Sequence, residues 1–336
     1  MNFETLSSRP EVHLINPMTD VGGSELHAVD MHRVLSRHTR ATIWTEYDPD
    51  PQLEALAPIE RINLARMRFP RQGVFLFIGA YFEVGTWWRL ARPRRTLLLY
   101  NIDNRRRLAH MLQRLTLGGR RDVEMIYASE RLKDDAGLPG IVEDSPIDLE
   151  VYAPSRAAPN DNFVVGRASR DDPLKFAPGD PVLFQRLAGA GFHVRIAGGT
   201  CLRERIAPHP RIELLSMLSP LSLPHFMQGL DCFLYRTSPE WPEAYGRVVA
   251  EAMACGVPPV VASNAGIAQH IRHGENGFIA DETDDVMDIL LRLREDRALR
   301  ARVGVAARRT MEDRYGEARL AEIAAHYLRA PARMPA

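Results

Sequence analysis

The chain has few cysteines, no net charge and no long apolar runs, and each of these absences argues against a class of protein. Its three cysteines, Cys201, Cys232 and Cys255, are widely spaced and form no CxxC pair. This usage favours a reducing, cytoplasmic setting over a disulfide framework or a zinc site. The formal net charge is zero, so the overall charge favours no particular partner.

Membrane and export signals are also missing. The longest apolar runs, at residues 74–81 and 96–100, are far too short to span a bilayer. The first residues show no basic segment followed by an apolar run, so we expect no signal peptide.

Lysine is almost absent. Lys133 and Lys175 are the only lysines among 43 basic residues, and all the others are arginine. A compact ammonium and a planar guanidinium are not interchangeable at a tight phosphate site. A retained lysine is therefore a candidate for a phosphate contact, although chance retention is the alternative for both positions.

What is present is the composition and pattern of a two-domain α/β protein. A chain of 336 residues, 45% hydrophobic and 26% charged, is large enough for two cores. Strand-like and helix-like segments alternate from residue 11 onward, which predicts parallel, doubly wound sheets. A stretch rich in proline and alanine at 153–160 reads as a linker. We expect domains at 1–157 and 158–316, followed by a last helix at 317–336.

The most informative stretch is residues 243–258, with the sequence EAYGRVVAEAMACGVP. Two carboxylates, Glu243 and Glu251, stand eight residues apart, one before a helix and one inside it. Gly246 lies at the helix start, and Gly256 ends the helix before a buried strand. A helix N-terminus in this position suits a diphosphate.

This stretch resembles the E-x7-E signature of the family-4 retaining glycosyltransferases, the glycosyl transferases group 1. The resemblance implies the GT-B fold, in which two Rossmann-like doubly wound domains enclose an interdomain cleft and the last helix crosses back to the first domain. It implies that Glu243 contacts the donor sugar and Glu251 the ribose. It places the residues that follow Ala244 at the donor as well: Tyr245, Gly246, Arg247 and Val248. An ordinary amphipathic helix with two solvated glutamates is the alternative reading.

A second match begins at Gly166-Arg167 and ends at Lys175. A strand ends there, and ligands of open α/β folds bind at the carboxyl ends of strands. The segment resembles the family's Arg and Lys pair, which implies that Arg167 and Lys175 stabilise the leaving diphosphate. The spacing is longer than in many members, Arg170 is a competitor, and a solvated, charge-rich loop is the alternative.

Four glycines, among them Gly166 as a further donor-binding position, and two polar residues complete the predicted site. Gly22 and Gly23 stand at a helix start, where the family has a glycine-rich loop, and Gly198 ends a strand in the second domain. Many members carry a histidine that touches the donor sugar near residues 100–104. This chain has none there, so Asn101 or Asp103 would have to substitute.

No metal or cofactor is expected. Asp48-Pro49-Asp50 mimics the DxD metal motif of the other glycosyltransferase fold, but turn chemistry explains it as well. Arg167, Lys175 and the helix N-terminus already supply positive charge for a diphosphate.

A cluster of arginines marks the first domain. Its members, with Asp103 as the single acid among them, are Arg89, Arg92, Arg94, Arg95, Arg105, Arg106, Arg107, Arg114, Arg120 and Arg121. Such a surface suits peripheral contact with an anionic membrane or a lipid-linked phosphate acceptor. Nucleic acid has no motif support, and a normal solvated face is the alternative.

The resemblance implies transfer of a sugar from a nucleoside diphosphate sugar to an acceptor hydroxyl with retention of anomeric configuration. The acceptor would be a glycan or a lipid-linked intermediate of a bacterial surface glycan, at the cytoplasmic side of the membrane. Two alternatives stay open. One is a degenerate GT-B protein that binds a nucleotide-sugar without turnover. The other, disfavoured by the E-x7-E string, is a sugar-nucleotide epimerase.

Overall fold

The computed structural model describes residues 10–117, 122–155, 162–241 and 243–330. The chain divides into two compact units, one formed by Met1–Pro146 with Glu317–Ala336 and the other by Ile147–Gly316. Most of the predicted linker, at 156–160, lies outside the described residues.

The first unit is built on a seven-stranded parallel sheet. Its strands are β1 (Val12–Ile15), β2 (Ala41–Thr45), β3 (Ile59–Arg61), β4 (Gln72–Ile78), β5 (Arg92–Tyr100), β6 (Val123–Tyr127) and β7 (Gly140–Val142). They lie in the order β3-β2-β1-β4-β5-β6-β7. The central strands β4 and β5 carry unbroken apolar runs because both faces of the sheet are covered.

The helices of this unit are α1 (Gly23–Ser36), α2 (Pro51–Glu54), α3 (Arg105–Thr116) and α4 (Glu130–Ala136), and Thr86–Arg89 forms a 3₁₀ turn. Most lie in the connections between parallel strands, which is the doubly wound pattern expected from the sequence.

The second unit contains a six-stranded parallel sheet. Its strands are β8 (Val164–Ala168), β9 (His193–Ala197), β10 (Ile212–Leu215), β11 (Cys232–Tyr235), β12 (Pro259–Val261) and β13 (Phe278–Ile279). They lie in the order β10-β9-β8-β11-β12-β13. The helices are α5 (Asp180–Gly189), α6 (Leu223–Gln228), α7 (Arg247–Ala254), α8 (Thr283–Glu295) and α9 (Arg297–Tyr315). The predicted fold class, two Rossmann-like doubly wound sheets, is confirmed.

The last helix, α10 (Glu317–Leu328), belongs to the first unit. Its final carbonyls have no partner within the helix and are bound instead by Arg95. The Arg95 Nη1 donates to the carbonyls of His326 and Tyr327 at 2.8 and 2.9 Å. Its Nε and Nη2 each donate to the Glu124 carboxylate at 2.7 Å.

Candidate functional site

Three neighbouring strands of the second sheet, β8, β11 and β12, bring their carboxyl ends to one edge. The edge collects Arg167 from β8, Tyr235 from β11, and the loop that leads from β11 to α7. Open α/β sheets bind ligands outside this end of their strands. The charged residues at this edge are therefore the first candidates for ligand contacts.

The Arg167 guanidinium is buried between two aromatic rings. Its Cζ lies 4.4 Å from the centroid of Phe176 and 4.5 Å from that of Tyr235. The residue is 1% exposed, yet its Nε, Nη1 and Nη2 have no hydrogen-bond acceptor among the described residues. Burial lowers the Arg167 pKa, and the carboxylate of Asp180 opposes that shift. A buried cation with five unsatisfied donors is costly unless an anion binds to it.

Lys175 and Glu243 form a largely buried ion pair close to this arginine. The Lys175 Nζ donates to Glu243 Oε2 at 2.7 Å, and the Tyr235 hydroxyl donates to the same oxygen at 2.6 Å. The side chains of Lys175 and Glu243 are 10% and 17% exposed. Tyr235 therefore connects Arg167 with Glu243, because its ring packs on the guanidinium and its hydroxyl donates to the carboxylate.

Opposing influences act on the pKa values of this cluster. Burial would raise the pKa of Glu243, but the charge and hydrogen bond of Lys175, together with the Tyr235 hydrogen bond, outweigh it, so the pKa is lowered and the carboxylate is ionised. Arg170, which is exposed, adds a weaker attraction. Burial and the Glu243 charge raise the pKa of Tyr235 well above its ordinary value, which keeps its hydroxyl a donor.

Gly246 starts α7 in a conformation that favours glycine. Its φ is +95°, in the left-handed region, and the helix begins at Arg247 and Val248, the next two residues. The Arg247 Nε donates to Glu251 Oε1 at 2.8 Å, one turn further on, and Glu251 is 2% exposed. The first turn of α7 thus points backbone N–H groups toward the same loop that carries Glu243.

The loop after β12 holds the signature loop in place. The Gly266 N–H donates to the Glu243 carbonyl at 3.0 Å. A Cβ on Gly266 would lie 2.1 Å from the Ala244 carbonyl oxygen, so only glycine permits this approach. Farther along the loop, Tyr245 shares a hydrogen bond with Tyr315 at the end of α9.

Two of the predicted donor-binding glycines, Gly166 in β8 and Gly198 directly after β9, have clear packing roles. A Cβ on Gly166 would meet Leu230 within 2.2 Å. Gly198 has a φ of +70°, and its Cβ would lie 1.9 Å from the Ser169 carbonyl oxygen. Their binding roles stay predictions, since packing alone explains both residues.

In the first unit, Gly22 caps α1 and Gly23 begins it. A Cβ on Gly22 would approach the buried carboxylate of Glu25 to 2.7 Å, whereas Gly23 faces open space. The Asn16 Nδ2 ties the start of this helix down by donating to Ser24 Oγ at 3.2 Å.

Asn101 and Asp103 follow β5 in the first unit and differ in environment. The Asp103 carboxylate accepts from Arg131 Nη1 at 2.7 Å. The Asn101 Oδ1 is buried and finds no hydrogen-bond donor in the described part of the chain. Asn101 is therefore the better candidate of the two for a ligand contact, and that role stays a prediction.

The metal-like motif at residues 48–50 is used in local structure. Asp48 pairs with Arg61, and Asp50 accepts from the Gln52 N–H at 2.8 Å to cap α2. Within the described ranges, no group of three His, Cys, Asp or Glu side chains could hold a metal. Metal independence of the reaction stays a prediction.

The arginine cluster is partly a surface feature. The prediction that Arg95 belongs to this surface is wrong, because Arg95 is 4% exposed and its guanidinium binds Glu124 and the end of α10. Arg120 and Arg121 lie outside the described residues. The exposed members are Arg89, Arg92, Arg94, Arg105, Arg106 and Arg107. No helix among the described residues has the length and apolar character needed to cross a bilayer.

Comparison with known proteins finds a family match for the segment that contains α7. Residues 189–310 match the model of the family described as glycosyl transferases group 1. This part of the chain is thus similar to the group 1 glycosyltransferases. The resemblance drawn from Glu243 to Pro258 is thereby confirmed at this level.

Several curated relatives carry the name D-inositol 3-phosphate glycosyltransferase, and two of them show the extent of the match. The one from Thermomonospora curvata is 30% identical over 171 residues, and the one from Mycobacterium tuberculosis is 29% identical over 198 residues. These matches cover 44% and 52% of this chain, but only 38% and 39% of the relatives. The chain thus spans less than two fifths of the length of the curated relatives that it matches.

Solved structures confirm the fold along nearly the whole chain. Anabaena HepE in complex with UDP-glucose matches 95% of this chain and 99% of its own, with a TM-score of 0.72 and 20% identity. WaaG, a glycosyltransferase involved in lipopolysaccharide biosynthesis, matches 94% and 99% with a TM-score of 0.66 and 12% identity. At these identities the likeness shows the fold alone, which is GT-B.

Proposed function

We propose that this protein is a retaining glycosyltransferase that moves a sugar from a nucleoside diphosphate sugar to an acceptor hydroxyl. The observation that carries the proposal is the buried Arg167 guanidinium, which has no acceptor among the described residues. A diphosphate offers the anionic oxygens that this fork requires. The family match and the structure of HepE with UDP-glucose support the same ligand class.

The Lys175–Glu243 pair supports a division of labour at the donor. Both Lys175 and Tyr235 donate to Glu243 Oε2. The ammonium keeps donors for a phosphate oxygen, and the Oε1 of Glu243 keeps acceptor capacity for a sugar hydroxyl. Backbone N–H groups at Gly246, Arg247 and Val248 add dipolar stabilisation of the diphosphate. Glu251 is proposed to contact the ribose.

In the proposed reaction, the bond between the anomeric carbon and the diphosphate oxygen breaks, and the acceptor oxygen bonds to the same face of that carbon. The acceptor proton passes to the departing diphosphate oxygen. Arg167 and Lys175 stabilise the negative charge that develops on that leaving group, which is the largest contribution we assign to the protein. Because these cations act on the diphosphate, we expect turnover without a divalent metal, and chelator should leave it unchanged.

The acceptor proposal rests on the arginine surface of the first unit. Exposed arginines at 89–94 and 105–107 suit an anionic, lipid-linked acceptor or the membrane that holds it. We therefore propose a role in bacterial surface glycan assembly, at the cytoplasmic face of the membrane and without nucleic acid.

Replacing Lys175 tests the catalytic proposal. Lys175→Ala should lower kcat about 100-fold or more, because an ammonium beside the leaving group is lost. Lys133→Ala is the matched control, since Lys133 belongs to the first unit and its ammonium pairs with Glu130 on α4 at 3.6 Å. Release of nucleoside diphosphate would be measured with a panel of donors and candidate acceptors. Wild-type kcat in Lys175→Ala would refute the phosphate role.

A further inference from the structure

Trp241 is the most exposed of the four tryptophans and lies beside the candidate donor site. Trp87 and Trp88 are 2% and 3% exposed, and Trp44 is half-buried and donates to His13. Trp241 is 43% exposed. Single exposed apolar residues are common on protein surfaces, so exposure alone carries no argument. The contacts that surround Trp241 indicate a function.

The indole ring lies over the ammonium that binds Glu243. The Lys175 Nζ is 5.7 Å from the Trp241 ring centroid, within the range of a cation–π contact. The same Nζ donates to Glu243 Oε2 at 2.7 Å. Trp241 thus adjoins both groups that the proposed function assigns to the donor, the phosphate-binding lysine and the sugar-binding glutamate.

Backbone hydrogen bonds anchor the turn that carries Trp241. The Trp241 N–H donates to the Ser238 carbonyl at 2.9 Å, which closes a turn. The Ser238 N–H donates to the Leu174 carbonyl at 3.2 Å, which ties that turn to the residue before Lys175. An aromatic ring on an anchored turn loses little conformational entropy when it binds a ligand.

Two buried oxygens in the adjoining loops have no donor or acceptor partner among the residues that the structure describes. They are Thr237 Oγ1, just after β11, and Asn264 Oδ1, just after β12. The loop of Asn264 is bonded to the loop of Trp241 through the Gly266 N–H and the Glu243 carbonyl. Sugar hydroxyls both donate and accept, so they match these oxygens as partners.

We propose that Trp241 is the stacking platform for the pyranose ring of the donor, and that it sets affinity for the sugar rather than for the nucleotide. This inference rests on the proposed function. The C–H face of a pyranose is apolar and packs on an indole ring, while the hydroxyls at its rim reach Glu243, Thr237 and Asn264. The ring of Trp241 then shields the sugar end of the donor from water.

The test compares each nucleoside diphosphate with its sugar conjugate by calorimetric titration. The pairs are UDP with UDP-glucose, GDP with GDP-mannose, and ADP with ADP-glucose, and the tightest wild-type pair is used. Trp241→Ala should weaken binding of the sugar conjugate about fivefold to tenfold relative to the bare diphosphate. Trp241→Phe should keep most of the wild-type affinity for the sugar conjugate, because a phenyl ring can still stack on the sugar. Val305→Ala, a change at an exposed position on α9, should leave both affinities unchanged.

Each outcome decides the proposal. An equal loss for both members of the pair would show that Trp241 only supports Lys175, and no loss would show that the ring contacts no sugar; either result overturns the platform. If no diphosphate binds the wild type, the proposed function itself fails. Acrylamide quenching gives a second readout, because the sugar conjugate should protect wild-type fluorescence more than the bare diphosphate does, and Trp241→Phe should abolish that difference.

Discussion

Two buried arginines at the carboxyl edge of the second sheet differ in whether their guanidinium groups have hydrogen-bond acceptors. Arg236 donates to Asp180 Oδ1 at 2.7 and 2.9 Å and to the Asp281 carbonyl at 2.7 Å. Arg167 packs between Phe176 and Tyr235 without an acceptor among the described residues. The first is a structural ion pair, and the second has the environment of a binding group.

This contrast predicts opposite effects on stability. Arg236→Met should lower the free energy of unfolding by about 3–5 kcal/mol, because the buried Asp180 carboxylate loses the guanidinium that hydrogen-bonds to it. Arg167→Met should change it by less than about 1 kcal/mol or raise it, because an unpaired buried cation is replaced by an apolar chain. Urea denaturation of both variants without nucleotide measures the difference. An equal loss in the two would mean that the fold itself needs the Arg167 charge.

The sequence predicted some of these residues and missed others for physical reasons. Lysine scarcity together with the resemblance to the family's Arg and Lys pair pointed to Lys175, and the E-x7-E spacing pointed to Glu243; their roles stay predictions. Tyr235 and Phe176 were missed because they lie within or beside apolar segments, where an aromatic reads as core. Their contacts with Arg167 join residues far apart in the chain, which local spacing does not reveal.

At the scale of elements, α10 is held to the first unit by buried polar groups. Arg95 binds its last carbonyls, and the Tyr327 hydroxyl donates to Glu143 Oε1 at 2.5 Å. Burial raises the pKa of Glu143 to about 7, although the Tyr327 hydrogen bond lowers it in part. The folded protein therefore keeps a proton on Glu143 that the unfolded chain releases at lower pH.

This pKa predicts that Glu143 destabilises the fold as pH rises. Between the ordinary pKa of 4.5 and about 7 the folded state binds more protons than the unfolded state, so the free energy of unfolding falls. The loss is about 3 kcal/mol across that window. Glu143→Gln cannot ionise, and its advantage over the wild type should grow by that amount.

Urea denaturation of both proteins across this pH range provides the measurement. His326, whose pKa is lowered to about 4 mainly by burial, stabilises the fold with rising pH and acts on both proteins alike. The difference between them therefore isolates Glu143. Parallel stability curves would show that Glu143 is already ionised in the folded protein.

Long elements followed the sequence pattern better than short ones. The apolar runs of β4 and β5 predicted buried strands, and the structure contains both. The edge strands β3, β7 and β13 were not foreseen. They have two or three residues each, and β3 and β7 include exposed positions, so no apolar period marks them.

For the whole molecule, neutral charge and ordinary composition predicted only a globular chain with two cores. The GT-B fold came from the resemblance at residues 243–258, and the solved structures confirm it. Composition gives no information about donor or acceptor, because a few side chains at one sheet edge carry that chemistry.

The central claim is that the carboxyl edge of the second sheet binds a nucleoside diphosphate through Arg167. Calorimetric titration of UDP, GDP, ADP and dTDP into the wild type and Arg167→Met tests it most directly. We predict that at least one diphosphate binds the wild type and binds the variant at least about tenfold more weakly, since a charge-assisted, multidentate contact is lost. Equal affinity in the two proteins, or no binding to the wild type, would contradict the account.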